Sequence, residues 1–324
     1  MANRELLMAM TTDDSPPPTE GRAMSGYSGI ILAGGDGARL ASLTRRLTGD
    51  ERPKQFCRLI GDDTLLEQTR RRARVLIAPE RLLTVVTRHH ERFYLPALAD
   101  APPRSIIVQP ENRGTAPAVL YAVSRLAGIA PTEPVVMLPS DHHVSDDAAF
   151  MARVECALEA VGARPEVVVL LGIAPDRPEV EYGWIEPAEL ILGRWSWPIY
   201  HVRRFWEKPS RPVAERLEAA GCLWNCFVVV ARPSTLEQLI RRATPELYEA
   251  FAPLRARLGT PWEEDTARSV YARLTSTDLS RHVFQACAES LAVLPVSGVG
   301  WTDLGDPVRV HEAQARLSWQ PATA

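Results

Sequence analysis

Lysine is almost missing from this 324-residue chain: of its 37 Lys and Arg residues, only Lys54 and Lys208 are lysine. Cysteine is scarce too. Cys57, Cys156, Cys222, Cys226 and Cys287 are odd in number and scattered, which excludes a disulfide framework. Cys222 and Cys226 form a C-x3-C pair with no Cys or His beside it, so buried thiols are the better reading than a zinc site. No apolar run reaches the roughly 18 residues a membrane helix needs. The formal charge of −3 gives no general attraction to nucleic acid or to an anionic membrane. The N-terminal stretch through Thr11–Pro18 has no apolar core or cleavage pattern of a signal peptide, so residues 1–26 read as a disordered leader on a cytoplasmic protein. Common catalytic signatures are absent as well. There is no G-x-x-x-x-G-K-[ST] and no G-x-S-x-G, and Leu40 stands where a dinucleotide fingerprint needs its third glycine.

What the chain does contain is a short apolar run, Ile30 to Ala33, that breaks into Gly34-Gly35-Asp36-Gly37-Ala38-Arg39-Leu40. Glycines there let the backbone turn tightly and bring N–H groups close to an anion. Arg39 and Lys54 add positive charge within reach. Alone, such a loop is also compatible with a surface turn carrying an incidental arginine. The two retained lysines weigh against that. Both sit beside proline in turn-like, apolar settings, Pro53-Lys54-Gln55-Phe56 and Trp206-Glu207-Lys208-Pro209, and a compact ammonium suits convergent phosphate oxygens.

Short apolar strands at Gly29–Ala33, Leu82–Thr87, Ser105–Val108, Val135–Pro139 and Val167–Leu171 alternate with helical periodicity over Thr64–Ile77, Thr115–Leu126 and Asp147–Val161. This alternation predicts an α/β protein with a mostly parallel sheet flanked by helices. Thr115 reads as the N-cap of its helix, with Pro117 in the first turn. After Gly172 the pattern changes to strands near Gly183–Glu186, His201–Pro209 and Phe227–Ala231, a short helix over Val213–Ala220, a helical stretch over 233–290, and a strand over Leu291–Val296. The arginines at 70–72 and 74 read as a solvated helix face rather than a nucleic-acid patch.

Two aspartates follow strands directly: Asp141 in Ser140-Asp141-His142-His143, and Asp303 between Gly300 and Gly305. Carboxylates so placed can hold a divalent cation against phosphate. Adjacent histidines on extended chain point to opposite faces, so magnesium on Asp141 and Asp303 is preferred over zinc on His142 and His143. Asn225, a polar residue inside an apolar passage, must find partners or face a pocket. With no convincing nucleophile, these pieces suggest phosphate transfer driven by positioning and charge.

These segments resemble the sugar-1-phosphate nucleotidyltransferases, and within them the mannose-1-phosphate guanylyltransferases. The resemblance rests on Leu32–Leu40, Arg52–Phe56, Glu111–Ala118, Pro139–His142, Glu181–Ile185, Phe205–Pro209, Leu223–Asn225 and Gly300–Gly305, in that order, across residues 27–312. It implies a GT-A-like (Rossmann-like) nucleotidyltransferase fold, with a tail over 313–324, and a Mg²⁺-dependent reaction of GTP with mannose 1-phosphate giving GDP-mannose and pyrophosphate. It implies that Leu32, Ala33, Gly34, Gly35, Gly37, Arg39, Lys54, Asn112, Gly114, Thr115, Ser140 and Asp141 meet the nucleotide. Glu181, Tyr182, Gly183, Glu207, Lys208 and Asn225 would meet the sugar phosphate. Arg39, Lys54 and Lys208 would carry the catalytic charge, and Asp141 and Asp303 the metal. The expected assembly, if any, is a homodimer, with no nucleic-acid or membrane partner. Three departures stand out: Gly114 precedes Thr-Ala-Pro in place of an asparagine, Cys226-Phe227 follows Asn225 in place of a small residue and glycine, and Ser276-Thr277-Asp278 lacks its downstream glutamate. Another hexose 1-phosphate, another NTP, or a noncatalytic subunit of the same fold stay open as alternatives.

Overall fold

The computed structural model describes residues 26–191 and 193–318; the leader, Gly26 excepted, and residues 319–324 lie outside the described residues. The strands are β1 (Ser28–Leu32), β2 (Leu82–Thr87), β3 (Ile106–Gln109), β4 (Val135–Pro139), β5 (Val168–Ile173), β6 (Gly183–Ile191), β7 (Ile199–Glu207), β8 (Leu223–Ala231) and β9 (Leu291–Val296). The helices are α1 (Ala41–Thr48), α2 (Leu65–Ala73), α3 (Glu91–Ala97), α4 (Thr115–Ala127), α5 (Asp147–Ala163), α6 (Arg211–Ala219), α7 (Pro233–Ala243), α8 (Pro245–Ala250), α9 (Ala252–Arg255), α10 (Glu263–Tyr271) and α11 (Pro307–Ser318).

The strands make one sheet in the order β3-β2-β1-β4-β8-β5-β9-β7-β6. The first four are parallel, as the strand–helix alternation predicts. The remainder corrects the expectation of a mostly parallel sheet. β8 runs antiparallel to both β4 and β5, β7 runs antiparallel to β6 and β9, and only β5–β9 is parallel. A further pairing of β6 with β8 closes β8-β5-β9-β7-β6 into a small barrel-like ring. The physical reason is that the apolar run Cys226–Ala231 of β8 carries no mark of direction, while a hairpin such as β6–β7 can give only antiparallel pairing.

Alternate residues of the strands serve opposite layers. Ile31, Val86 and Leu138 face a cluster with Leu66, Phe150 and Val154, under α2 and α5. Ile30, Val85 and Met137 face Val119, Leu236 and Tyr271, under α4, α7 and α10. Local signals place the helix ends. Thr64 and Glu67 form a reciprocal capping box at α2, and α7 opens on Pro233. Thr115 is a correction. Gly114 occupies the N-cap, Thr115 is the first helical residue, and its hydroxyl is used elsewhere. Residues 313–318, read as the start of a tail, complete α11.

Candidate active site

The C-terminal ends of the parallel strands open into a cleft of about 430 Å³, the edge where ligands of open α/β sheets bind. Gly34 leaves β1 so close to its neighbours that a β-carbon would lie 2.7 Å from Gln109 Nε2 and 2.8 Å from Thr87 Oγ1. The Thr87 hydroxyl donates to the Gly34 carbonyl at 2.8 Å. Gln55 Nε2 donates to the carbonyls of Ala33 (3.1 Å) and Gly35 (2.8 Å), which pins the loop from below. Arg39 then leans over the cleft, 3.3 Å from Glu181 and 4.0 Å from Asp303, with its side chain 56% exposed.

Two strand ends bring the aspartates together. Ser140 is tied to the end of β1 through its N–H (3.1 Å) and hydroxyl (2.8 Å), both donated to the Leu32 carbonyl. His143 and Thr302 exchange backbone hydrogen bonds of 2.9 Å, so the loop carrying Asp141 lies beside the loop carrying Asp303. Lys54 reaches both: its ammonium lies 3.2 Å from Asp141 Oδ2 and donates to the Asp303 carbonyl at 2.6 Å. Burial pushes the Asp141 pKa up, but Lys54 and His142 outweigh it and hold the carboxyl below its ordinary value. For Asp303 burial again opposes ionisation and is outweighed by Lys54, the Tyr182 hydroxyl and Arg309. Its Oδ1 accepts from Tyr182 (2.6 Å), the Gly305 N–H (2.9 Å) and Arg309 (2.8 Å).

The opposite wall comes from the barrel-like half. Gly183 and Glu207 are register partners on β6 and β7. The Lys208 N–H donates to the Tyr182 carbonyl at 3.2 Å, with Lys208 itself in a left-handed conformation (φ 47°). Burial, then Asp278, push the Glu207 carboxyl up to about 7 against Lys208 and Arg281. Asn225 Oδ1 accepts from the Phe227 N–H at 3.1 Å, leaving its amide group for the cleft.

A docked segment completes the rim. Thr277 donates to the Arg113 carbonyl (2.9 Å), accepts from the Ala116 N–H (3.0 Å), and Leu279 N–H donates to the Thr115 hydroxyl (2.8 Å). Gly114, at φ 89°, is required by this contact, because a β-carbon there would lie 2.4 Å from the Thr277 carbonyl oxygen.

The cleft thus brings together Leu32, Gly34, Gly35, Gly37, Arg39, Asn112, Gly114, Thr115, Ser140, Asp141, Glu181, Tyr182, Gly183, Glu207, Lys208, Asn225 and Asp303. Ala33 and Lys54, also expected there, do not line it: both are buried behind the wall. Sequence reasoning assigns no role to Gln109, Phe227, Asp278, Ser280 or Trp301, which do line it. The available signal for Gln109 is a polar residue at the C-terminal end of an apolar strand, and for Asp278 the polar Ser276-Thr277-Asp278 cluster; Ser280 carries none, since only the chain's return places it.

Residues 28–319 match the profile of the nucleotidyl transferase family. The chain belongs to that family. It is 31% identical over 297 residues to mannose-1-phosphate guanylyltransferase 2 of Escherichia coli O157:H7, covering 85% of this chain and 57% of that protein. It is 34% identical over 301 residues to the alginate biosynthesis protein AlgA of Pseudomonas aeruginosa, covering 89% and 58%. It therefore spans little more than half the length of these relatives. Among solved structures it superposes with a TM-score of 0.76 and 34% identity on a Thermus thermophilus protein described as a mannose-1-phosphate geranyltransferase, over 92% of this chain and 81% of that one. An inositol-1-phosphate CTP transferase from T. maritima, 15% identical with a TM-score of 0.54, shares the fold.

Among the described residues of this α/β nucleotidyltransferase fold, one group of three His, Cys, Asp or Glu side chains lies close enough together to hold a metal ion: Asp36, His89 and His90. His89 Nε2 lies 3.0 Å and His90 Nε2 3.5 Å from Asp36 Oδ1. Burial, then His89, lower the His90 pKa to about 4. This cluster is distinct from Asp141 and Asp303. Among the described residues no helix is long and apolar enough to cross a membrane.

Proposed function

We propose that the chain is a sugar-1-phosphate nucleotidyltransferase that condenses GTP with α-D-mannose 1-phosphate to GDP-mannose and pyrophosphate. The observation that carries this reading is the two-walled cleft, with a glycine loop and Arg39 on one side, Glu207, Lys208 and Asn225 on the other, and two ionised aspartates between. The likeness to proteins named for mannose 1-phosphate supports the choice of sugar.

Each wall has its task in this account. Gly34, Gly35 and Gly37 admit the triphosphate close to the backbone, and Arg39, more than half exposed, exchanges its contact with Glu181 for the phosphate charge. Asn112, Gly114 and Thr115 shape the nucleoside side of the rim. Lys208 holds the phosphate of mannose 1-phosphate so that one of its oxygens, ionised already, attacks the α-phosphorus of GTP. The new P–O bond forms as the α–β bridge breaks, and the β- and γ-phosphates leave as pyrophosphate. Glu207 and the Asn225 amide accept from and donate to sugar hydroxyls, with Glu181 at the mouth. Lys54, buried beneath, fixes the two aspartate loops against each other and adds its charge at the same point.

Asp141 and Asp303 fit a magnesium ion, which prefers hard oxygen ligands. Both are held ionised, both line the cleft, and Asp303 Oδ2 remains beside Oδ1's three donors. Bound there, Mg²⁺ would neutralise phosphate charge. Five free, buried cysteines accord with a reducing, cytoplasmic setting. The test is a matrix of NTPs and hexose 1-phosphates assayed for Mg²⁺-dependent pyrophosphate release. GTP with mannose 1-phosphate is expected to give the highest kcat/KM. A higher value with glucose 1-phosphate would transfer the reading to that sugar, an alternative kept in view because an aromatic residue, Phe227, stands in the sugar wall.

A further inference from the structure

Four non-glycine residues in the described structure have a left-handed backbone, and three of them, Lys208, Phe227 and Leu304, lie in or beside the cleft. For a bulky aromatic residue this conformation is a marked outlier, because the β-carbon crowds the following carbonyl. Phe227 adopts φ 60° where β8 slips against β5. Leu170 pairs with Val229, but Gly172 pairs with Asn225, so β8 spends two extra residues across this interval. That is a bulge, a position where glycine is the ordinary occupant and where the turn of the chain re-aims a side chain towards a site.

The surroundings hold Phe227 in place. Its N–H is capped by Asn225 Oδ1 at 3.1 Å. Its ring lies 6.4 Å from that of Phe284, which is fully buried at the end of a single π-helical turn, Ser280–Phe284. The ring is half-buried and forms part of the cleft wall, two residues along the strand from Asn225. Strain retained at a site wall, where glycine would remove it, points to a use for the side chain.

Resting on the reading of this cleft as a sugar 1-phosphate site, we propose that Phe227 sets the size limit of its sugar side. The wall admits hexose 1-phosphates whose ring substituents are hydroxyls and excludes those carrying an acetamido group. The ring offers an apolar face to the sugar's C–H groups and is backed by Phe284. Replacing Phe227 by glycine removes a benzyl group, more volume than an acetamido adds over a hydroxyl. It leaves the Asn225 cap intact, since the donor is backbone.

The test compares wild type, Phe227→Gly and Phe227→Ala in kcat/KM for mannose 1-phosphate and for its 2-acetamido-2-deoxy analogue, with GTP and Mg²⁺. In both variants the acetamido-to-hydroxyl ratio is expected to rise by about tenfold or more, the scale at which a pocket discriminates a small group. Phe227→Gly is expected to melt above Phe227→Ala, since both lose the ring and only glycine relieves the left-handed backbone. An unchanged ratio in either folded variant overturns the proposal. If wild type turns over no NTP and sugar phosphate pair, the function reading falls. The size limit is then read from melting shifts with the same two sugar phosphates, and equal shifts in wild type and Phe227→Gly overturn it.

Discussion

Lys54 and Asp141 show how far a single residue's setting alters its meaning. A lysine expected on the cleft wall instead lies behind it, and its ammonium keeps two strand-end loops in register. Asp141→Asn removes one ionised oxygen donor with little change of volume, so turnover is expected to fall on the order of 100-fold or more in a protein that stays folded, with a melting temperature lowered by the lost ion pair to buried Lys54. Near-wild-type kcat would take Asp141 out of the metal role. Glu207 gives a pH signature. Unfolded, its carboxyl loses a proton near 4.5; folded, it keeps it to about 7. Between those values the folded state binds more protons, so this group's contribution to stability falls as pH rises and is flat above the folded value. Glu207→Gln is therefore expected to gain melting temperature relative to wild type on going from pH 5 to pH 8, measured by thermal denaturation; a gap that does not widen would remove the burial argument. For binding the sign is opposite. The ionised form accepts from sugar hydroxyls, so KM for the sugar phosphate should fall as pH rises through about 7, and lose that step in Glu207→Gln.

At the scale of elements, the glycine loop and the strand-end aspartates were legible because their chemistry is local: tight turns need glycine, and charge beside phosphate needs a fixed strand end. Gly114 was legible only as an oddity. Its reason lies 163 positions away, where Thr277 returns to dock on the loop. Gly114→Asn, which restores the residue suggested by resemblance, is expected to destabilise the chain by about 1–3 kcal/mol, from the left-handed backbone, plus the clash with Thr277. Equilibrium denaturation showing no loss would mean that the 275–279 segment can move aside. Thr115 misled for the same reason: its hydroxyl resembles a cap, yet is held by Leu279 and Asp278.

For the whole molecule, the parallel half declares itself through repeated strand–helix units, whereas the barrel-like half does not. β8 is buried on both faces, so its apolar run is compatible with either direction, and only its place between β4 and β5 decides. The cleft lies where the two halves meet. On the proposed reading, the nucleotide would meet the β1–β4 side and the sugar phosphate the residues of β6, β7 and β8 that line the cleft. The β1–β4 side of the cleft is legible from local glycine and strand-end signals, whereas the side built on β6, β7 and β8 depends on a bulge, a left-handed lysine and a returning loop.

The central claim is that both walls serve one displacement at the α-phosphorus. Phosphorus-31 NMR of the protein with GTP, mannose 1-phosphate and Mg²⁺ follows every phosphate at once. The account predicts equal loss of the mannose 1-phosphate and GTP signals, with matching growth of a sugar diphosphate and pyrophosphate, and no change when either substrate is omitted. GTP breakdown that leaves the mannose 1-phosphate signal intact would contradict it.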